Sequence, residues 1–405
     1  MTSLERRSSF TLASIYGLRM LGLFLILPVF AIYAQGLPDG GNRFLVGLAL
    51  GIYGLTQAAL QIPFGLASDR FGRKHVMMLG MLIFALGSFV AGAAHTLPWI
   101  IVGRAIQGAG AISAAISALI ADSTRDAVRT KAMAVVGMTI GGTFFISLIA
   151  GPSLYRLISI PGMFILTGVL ALAAIGVIRW VVPDAPKVLA TSSARKPWQA
   201  GRVMTPALLR LDFSIFVINF AQTALFVVVP LALLHHVHLG VEDQWMVYLP
   251  VTAGSFVLAI PGIIWAEARG HMRPVFIATV TLMMLSMLWL GTSYTHPWSL
   301  ITALFLFFMA FNLMEALLPS LVSRTAPEAN KGLALGVYNT TQSLGLFAGG
   351  AVGGWVANTW SDASVFLTCA ALSFLWLLVA FFVRVPANAH AAGNDALAHA
   401  NPEWD

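Results

Sequence analysis

The chain has 405 residues, 58% of them hydrophobic and only 10% charged, with a formal net charge of +7 and a mean hydropathy of +0.84. Its apolar residues fall in blocks far longer than a soluble core needs, which excludes a set of soluble domains and points to a protein dissolved largely in lipid. The single cysteine, Cys369, excludes an intramolecular disulfide framework and a four-cysteine metal site.

Read in chain order, the blocks give about twelve spans, at roughly 10–33, 44–67, 76–95, 98–120, 133–154, 161–182, 211–235, 245–266, 275–294, 298–322, 332–357 and 365–383. They predict helices, because a helix satisfies its own backbone hydrogen bonds in lipid. The ten-residue alternation of a membrane barrel is absent. The first block follows Glu5-Arg6-Arg7, is too long for a signal core and lacks a small-residue cleavage site, so it counts as span one.

Span one carries Arg19, an ion costing about 2.5–3.5 kcal/mol at mid-bilayer. In span two, Tyr53, Gln57 and Gln61 stand at i, i+4 and i+8, so one face turns away from lipid. The turn after it, GLASDRFGRK (65–74), gathers four charges: Asp69, Arg70, Arg73 and Lys74. Span four holds Arg104 and Gln107 and ends near Asp122. Residues 183–210, with four prolines and five basic residues, read as a polar connector.

Span seven contributes Asn219 and Gln222 and ends in His235, His236 and His238, followed by Glu242 and Asp243. Three histidines within four residues of a helix end rarely aim at one ion, so the cluster reads as interfacial polarity and no metal is expected. Span ten holds Asn312 and Glu315, and span eleven holds Tyr338, Asn339 and Gln342. Gly345, Gly349 and Gly353, with Gly350 and Gly354, form small-residue seams for tight helix packing.

With a cytoplasmic N-terminus, nineteen of the 23 basic residues fall in cytoplasmic segments, leaving Arg43 and Arg156 outside and Arg19 and Arg104 in spans. That bias is the positive-inside pattern, so the basic balance reports topology and needs no nucleic-acid partner. An offset of 198 superposes Pro63 on Pro261, Asp69 on Glu267 and Gly72 on Gly270. An offset of 202 superposes Asp126 on Glu328, Ala127 on Ala329, Arg129 on Lys331 and Ala132 on Ala334. Both matches follow corresponding spans of each half, which predicts a duplicated six-helix unit with a substrate site between the halves.

These residues resemble the major facilitator superfamily of transporters. Gly65, Asp69, Arg70, Gly72, Arg73 and Lys74 match its G-x-L-a-D-R-x-G-R-K motif, with Ala67 where Leu is usual. Arg104, Gln107, Gly108, Gly110 and Ala111 match the R-x-x-Q-G-x-G-A signature of proton-coupled members. "LRMLGLFLILP", "GIYGLTQAALQIPFGLASDRFGRK" and "FNLMEALLPSL" are similar to the YajR-type drug/proton antiporters over about residues 10 to 385. That group carries a soluble domain after span twelve, where this chain shows the tail "ANAHAAGNDALAHANPEWD", too short and polar for a core. The span-five glycine signature of drug antiporters survives only as Gly142 and Gly151-Pro152, with Ser147 at one glycine position and Tyr155-Arg156 replacing the final pair.

The resemblance implies that Asp69 faces the N-terminal end of span eleven, where backbone N–H groups carry partial positive charge. It also implies that Arg73 pairs with Asp69 and Asp122, latching the halves on the cytoplasmic side, with Gly65 and Gly72 shaping the turn. By the same resemblance Arg104, as the signature's arginine, is expected to take part in proton coupling, the alternative being an arginine that satisfies backbone carbonyls near a helix break. Arg19 lies where many drug antiporters place a carboxylate, and it either binds an anionic substrate group or pairs with Glu315. Glu315 is read as the proton carrier or as a static partner of Arg19 or Arg104. Tyr53, Gln57, Gln107, Asn219, Gln222, Asn312, Tyr338, Asn339 and Gln342 are the candidate cavity lining, for substrate contact or interhelical bonding.

The expected protein is therefore an all-α membrane protein with the major facilitator fold: twelve transmembrane helices in two pseudo-symmetric six-helix bundles. The bundles occupy 1–182 and 211–384, separated by the connector 183–210 and followed by a disordered tail, 385–405. It is placed in the cell inner (plasma) membrane as a multi-pass monomer with cytoplasmic termini. The expected activity is proton-coupled efflux of small hydrophobic or drug-like compounds by alternating access. Its expected partners are a small-molecule substrate, protons and the lipid bilayer. A sugar or organic-anion exporter is the alternative within transport, and a non-transporting membrane sensor or scaffold the alternative outside it. No cofactor is expected, and no Gly-Lys pair exists to build a nucleotide phosphate loop. No nucleophile and base stand out, so an enzyme is not expected.

Overall fold

The computed structural model describes residues 2–182, 204–327 and 331–383. The greater part of the connector 183–210, the tail 385–405 and Glu328 and Ala329 of the repeat match lie outside the described residues. The described residues build helices α1 (Ser3–Phe24), α2 (Leu27–Gln35), α3 (Arg43–Phe71), α4 (Arg73–Gly92), α5 (Leu97–Ala109), α6 (Ser113–Ser123), α7 (Asp126–Trp180), α8 (Pro206–His236), α9 (Trp245–Ala268), α10 (Met272–Ser293), α11 (Pro297–Thr325), α12 (Lys331–Thr359) and α13 (Asp362–Ala380).

Every expected span coincides with one of these helices, but two are broken and two are fused. Span one divides into α1 and α2 at Leu25-Ile26, because Pro28 has no N–H to offer the Phe24 carbonyl. Span four divides into α5 and α6 at Gly110, where a Cβ would run into the Gly80 carbonyl of α4. Spans five and six form the single element α7, interrupted at Ser159 (φ 56°, ψ 176°) two residues before Pro161. Among the described residues, ten helical segments are long and apolar enough to cross a membrane. The segment Val135–Trp180 holds two spans, and α12 stays outside that set because Tyr338 to Ser343 is a polar run.

Helices α1–α7 pack on one another, α8–α13 do likewise, and the two groups meet chiefly along α3 and α12, with α2 on α8 and α7 on α9. The end of the molecule bearing the 65–74 turn is here termed the turn end, and the opposite end the far end. Glycines permit the closest approaches: Cβ atoms at Gly47, Gly51 and Gly54 of α3 would strike the backbone of α12 at Gly350, Phe347 and Ser343. A second row on α12, Gly345, Gly349 and Gly353, packs on Phe216, Phe220 and Ala224 of α8. These contacts lie toward the far end. At the turn end of α12, by contrast, Cβ atoms at Gly332 and Gly336 would meet nothing within 4 Å, and the same holds for Gly137, Gly141 and Gly142 of α7. Small residues here do what bulk hydrophobicity cannot do between lipid-solvated helices, bringing backbones into direct contact.

The repeat is visible in backbone conformation. Gly72 and Gly270, which the 198-residue offset superposes, are the two glycines with positive φ among the described residues, at 93° and 70°. Each lets the chain reverse after the second helix of its half. Pro63 and Pro261 both lie inside those helices.

Candidate functional site

At the turn end, Gly72 ends α3 and starts α4, which aims Arg73 back across the turn. Arg73 pairs with Asp69, donates from Nε to Asp122 Oδ2 at 3.1 Å and from Nη1 to Ser68 Oγ at 2.7 Å. All three acceptors belong to the first half, so the contacts of Arg73 tie α3, α4 and α6 together. The Asp126 side chain and residues 328–330, beside the start of α12, lie outside what the structure describes. A Cβ added at Gly65 would lie 3.4 Å from that of Ala114, Arg70 is exposed with its guanidinium 5.4 Å from the Phe71 ring, and Lys74 is half-buried. The second half carries a counterpart in which the acid of the turn is kept, Glu267 for Asp69, and the base moves to the position matching Asp122. Glu267 accepts from Arg324 Nη2 at 3.3 Å and from Ser320 Oγ at 3.2 Å, and Arg324 stands 202 residues after Asp122.

Inside the first half lies a fully buried polar network centred on Tyr53. Arg19 and Arg104 are both 0% exposed, and their guanidinium carbons lie 5.4 and 5.0 Å from the centroid of the same Tyr53 ring. Arg19 donates to Ser113 Oγ at 3.0 Å and to Gln57 Oε1 at 3.1 Å. Arg104 donates to the Ala49 carbonyl at 3.3 Å and to Gln107 Oε1 at 2.8 Å, and Gln107 passes a bond to Ser88 at 2.7 Å. Gly108 of the span-four signature and Gly87 of α4 make this possible, since Cβ atoms there would strike the Tyr53 carbonyl and the Gln107 backbone respectively. Neither arginine has a carboxylate partner among the described residues. The expectation that Arg19 or Arg104 pairs with Glu315 is therefore not met: the arginines are sealed within the first half, while the acid belongs to the second.

Glu315 of α11 is only partly buried. Its Oε1 accepts from Asn219 Nδ2 of α8 at 3.3 Å and from Gln342 Nε2 of α12 at 3.5 Å. Tyr338, buried with an unpartnered hydroxyl, stands within electrostatic range of both Glu315 and Asp212. Asp212, two helical turns before Asn219 on α8, is 6% exposed. Sequence reasoning passed over it because it sits at a span edge, where a carboxylate is ordinarily solvated.

The nine candidate lining residues do not form one surface. Tyr53, Gln57 and Gln107 join the arginine network, whereas Asn219 and Gln342 hold Glu315. Asn312 donates to Ser255 of α9 at 3.1 Å, Gln222 is buried in α8, and Asn339 is half-buried in α12. The element that does bridge the halves is aromatic, and the sequence reading missed it. Phe144 of α7 packs on Phe24 of α1 (ring centroids 5.1 Å apart) and reaches Phe226 of α8 and Phe308 and Phe311 of α11 at 6.5, 6.2 and 5.6 Å. At the far end a cross-half ion pair was also missed: Arg43 Nη1 lies 3.2 Å from Asp362 Oδ1, and the Arg43 amide donates to Asn358 Oδ1 at 3.1 Å.

The chain matches the profile of the Major Facilitator Superfamily over residues 12–211 and again over 211–402. It is 41% identical over 388 residues to the inner membrane transport protein YajR of Escherichia coli, covering 95% of this chain and 85% of that protein. It is 24% identical over 361 residues to the quinolone resistance protein NorA of Staphylococcus aureus, covering 86% and 89% of the two chains. In three dimensions it resembles a bacterial homologue of the human lysosomal transporter Spinster, solved in an inward-facing and occupied conformation, with a TM-score of 0.77 at 11% identity over 95% and 97% of the chains. Two successive profile matches, one for each helical group, agree with the repeated turn geometry at Gly72 and Gly270. The protein is a multi-pass membrane transporter of the major facilitator superfamily, not an enzyme.

Proposed function

We propose that the protein exports small, largely apolar compounds from the cytoplasm across the inner membrane in exchange for protons, as a monomer working by alternating access. The turn end is then cytoplasmic, as the basic residues around it require. The halves 1–182 and 211–384 rock about the aromatic bridge, and the 65–74 cluster latches the cytoplasmic side.

The observation that carries this reading is the setting of Glu315. It is a carboxylate at membrane depth, only partly buried, and two neutral amides hold it in place of a cation. Taking up or losing a proton there breaks no ion pair, so the group can change charge as the cleft changes sides. The Phe144 cluster is buried where the halves meet, and when they part it would offer aromatic rings suited to substrates of the kind implied by NorA's name.

The test is substrate-induced pH change in proteoliposomes, with a panel of cationic, neutral and anionic compounds, comparing wild type with Glu315→Gln. Proton movement with at least one compound, lost in the variant, is expected. No proton movement with any compound removes antiport, and a variant that matches wild type moves the proton site elsewhere.

A further inference from the structure

The Arg19–Tyr53–Arg104 cluster has a charge imbalance that the chain itself does not resolve. Both guanidiniums are completely buried, and among the described residues neither has an acidic partner. An arginine cannot shed its charge, because its ordinary protonation lies far above any working pH. Nor can solvent screen a group that water does not reach. Two like charges share one aromatic ring, and the ring's quadrupole offsets only part of the cost of desolvating them.

The same cluster holds three polar groups with no partner among the described residues. Arg19 Nε and Arg104 Nη2 are buried donors without acceptors, and the buried Tyr53 hydroxyl makes no bond. Every other guanidinium nitrogen with a partner gives to a neutral oxygen: Ser113, Gln57, Ala49 or Gln107. Excess positive charge and excess donors on the same three residues call for one thing, a negatively charged acceptor. Glu315 of the second half is bonded to Asn219 and Gln342, and no ion pair joins either arginine to an acid of that half among the described residues.

We infer that the first half binds a small monovalent anion at Arg19, Arg104 and Tyr53, either a free halide or a small free carboxylate. The chemistry required is one negative charge and accepting lone pairs on a compact group, the complement of guanidinium and phenol donors. This inference stands apart from proton antiport, because binding is measured at equilibrium with no gradient and no flux.

The experiment uses the purified full chain in nanodiscs. Thermal unfolding is followed while sodium chloride, or separately sodium benzoate, replaces sodium methanesulfonate at constant ionic strength. A saturable rise of the unfolding midpoint is expected with one or both anions. Tyr53→Phe, which keeps the ring between the arginines, and Arg19→Gln should each raise the half-saturating concentration by about tenfold, the order expected for one charged hydrogen bond. A response to chloride alone identifies a resident halide, and a response to benzoate identifies a carboxylate site. A midpoint indifferent to both anions overturns the inference, as does a response that Tyr53→Phe leaves unaltered. Should Arg19→Gln fail to fold, the wild-type titration and Tyr53→Phe decide between these outcomes. Anion binding without any proton movement would leave this site standing while removing antiport, and the reverse result would do the opposite.

Discussion

Gly47 of α3 and Gly354 of α12 approach so closely that a Cβ placed on Gly47 would lie 2.7 Å from the Gly354 Cα. This contact joins the two halves near the far end, so it must part whenever that end opens. Gly47→Ala should therefore wedge the seam. Overpacking of this kind costs about 1–3 kcal/mol, here charged to the far-closed state alone. Thiol labelling of a cysteine introduced at Leu346, buried in the seam, should rise by about tenfold in a Cys369→Ser background. Unchanged labelling would mean that the seam stays shut throughout transport.

Arg43 and Asp362 close the same end across the halves. Each is about a quarter exposed, at 25% and 23%, so the pair is worth at most about 1 kcal/mol. Arg43→Gln should thus shift the same labelling by no more than about fivefold. Exchanging the charges, Arg43→Asp with Asp362→Arg, should restore closure only in part. Asp362 sits in the first turn of α13, where a negative charge suits the helix dipole and an arginine does not.

At the other end, Arg73 serves three acceptors on two aspartates and a serine. Asp69 and Asp122 are 34% and 41% exposed, so screening keeps the stability lost in Arg73→Ala small, about 1 kcal/mol or less per pair. Transport rate should fall much further than the unfolding midpoint, because the turn sets how α3, α4 and α6 move together. Arg73→Lys should behave like Arg73→Ala, since an ammonium cannot present the planar fork that reaches all three. Flux in vesicles set beside thermal unfolding checks both statements.

Phe144 touches aromatic residues from both halves and is 6% exposed. Phe144→Ala should cost on the order of 3–5 kcal/mol in stability by the usual measure of a buried ring, and Phe144→Leu clearly less. In the leucine variant the KM for aromatic substrates should rise while the ratio of protons to substrate stays as in wild type. A changed ratio would place Phe144 in coupling and not in recognition.

Much of the fold was legible because it is written in one dimension. Block lengths report the bilayer, and the basic residues report orientation. The turn glycines Gly72 and Gly270 betrayed the repeat before their backbone angles were seen. Breaks were less legible: Pro28 marks one, but Gly110 interrupts span four because α4 lies against it, a neighbour no local pattern reveals. The candidate site was readable as a set of residue types and misread as a set of partners. Arg19 and Glu315 looked complementary on a list, yet they belong to different halves and bond to neutral groups.

The sequence by itself determined that this chain spans the membrane as two related helical halves and which rare polar residues enter the lipid-embedded region. Both follow from the cost of exposing backbone or charge to hydrocarbon, which acts on each segment separately. Only the tertiary structure decided which of those residues meet. Arg19 finds Ser113 across 94 positions and Arg43 finds Asp362 across 319, because side-by-side packing of helices, governed by where glycines let backbones touch, assigns every polar group its neighbour.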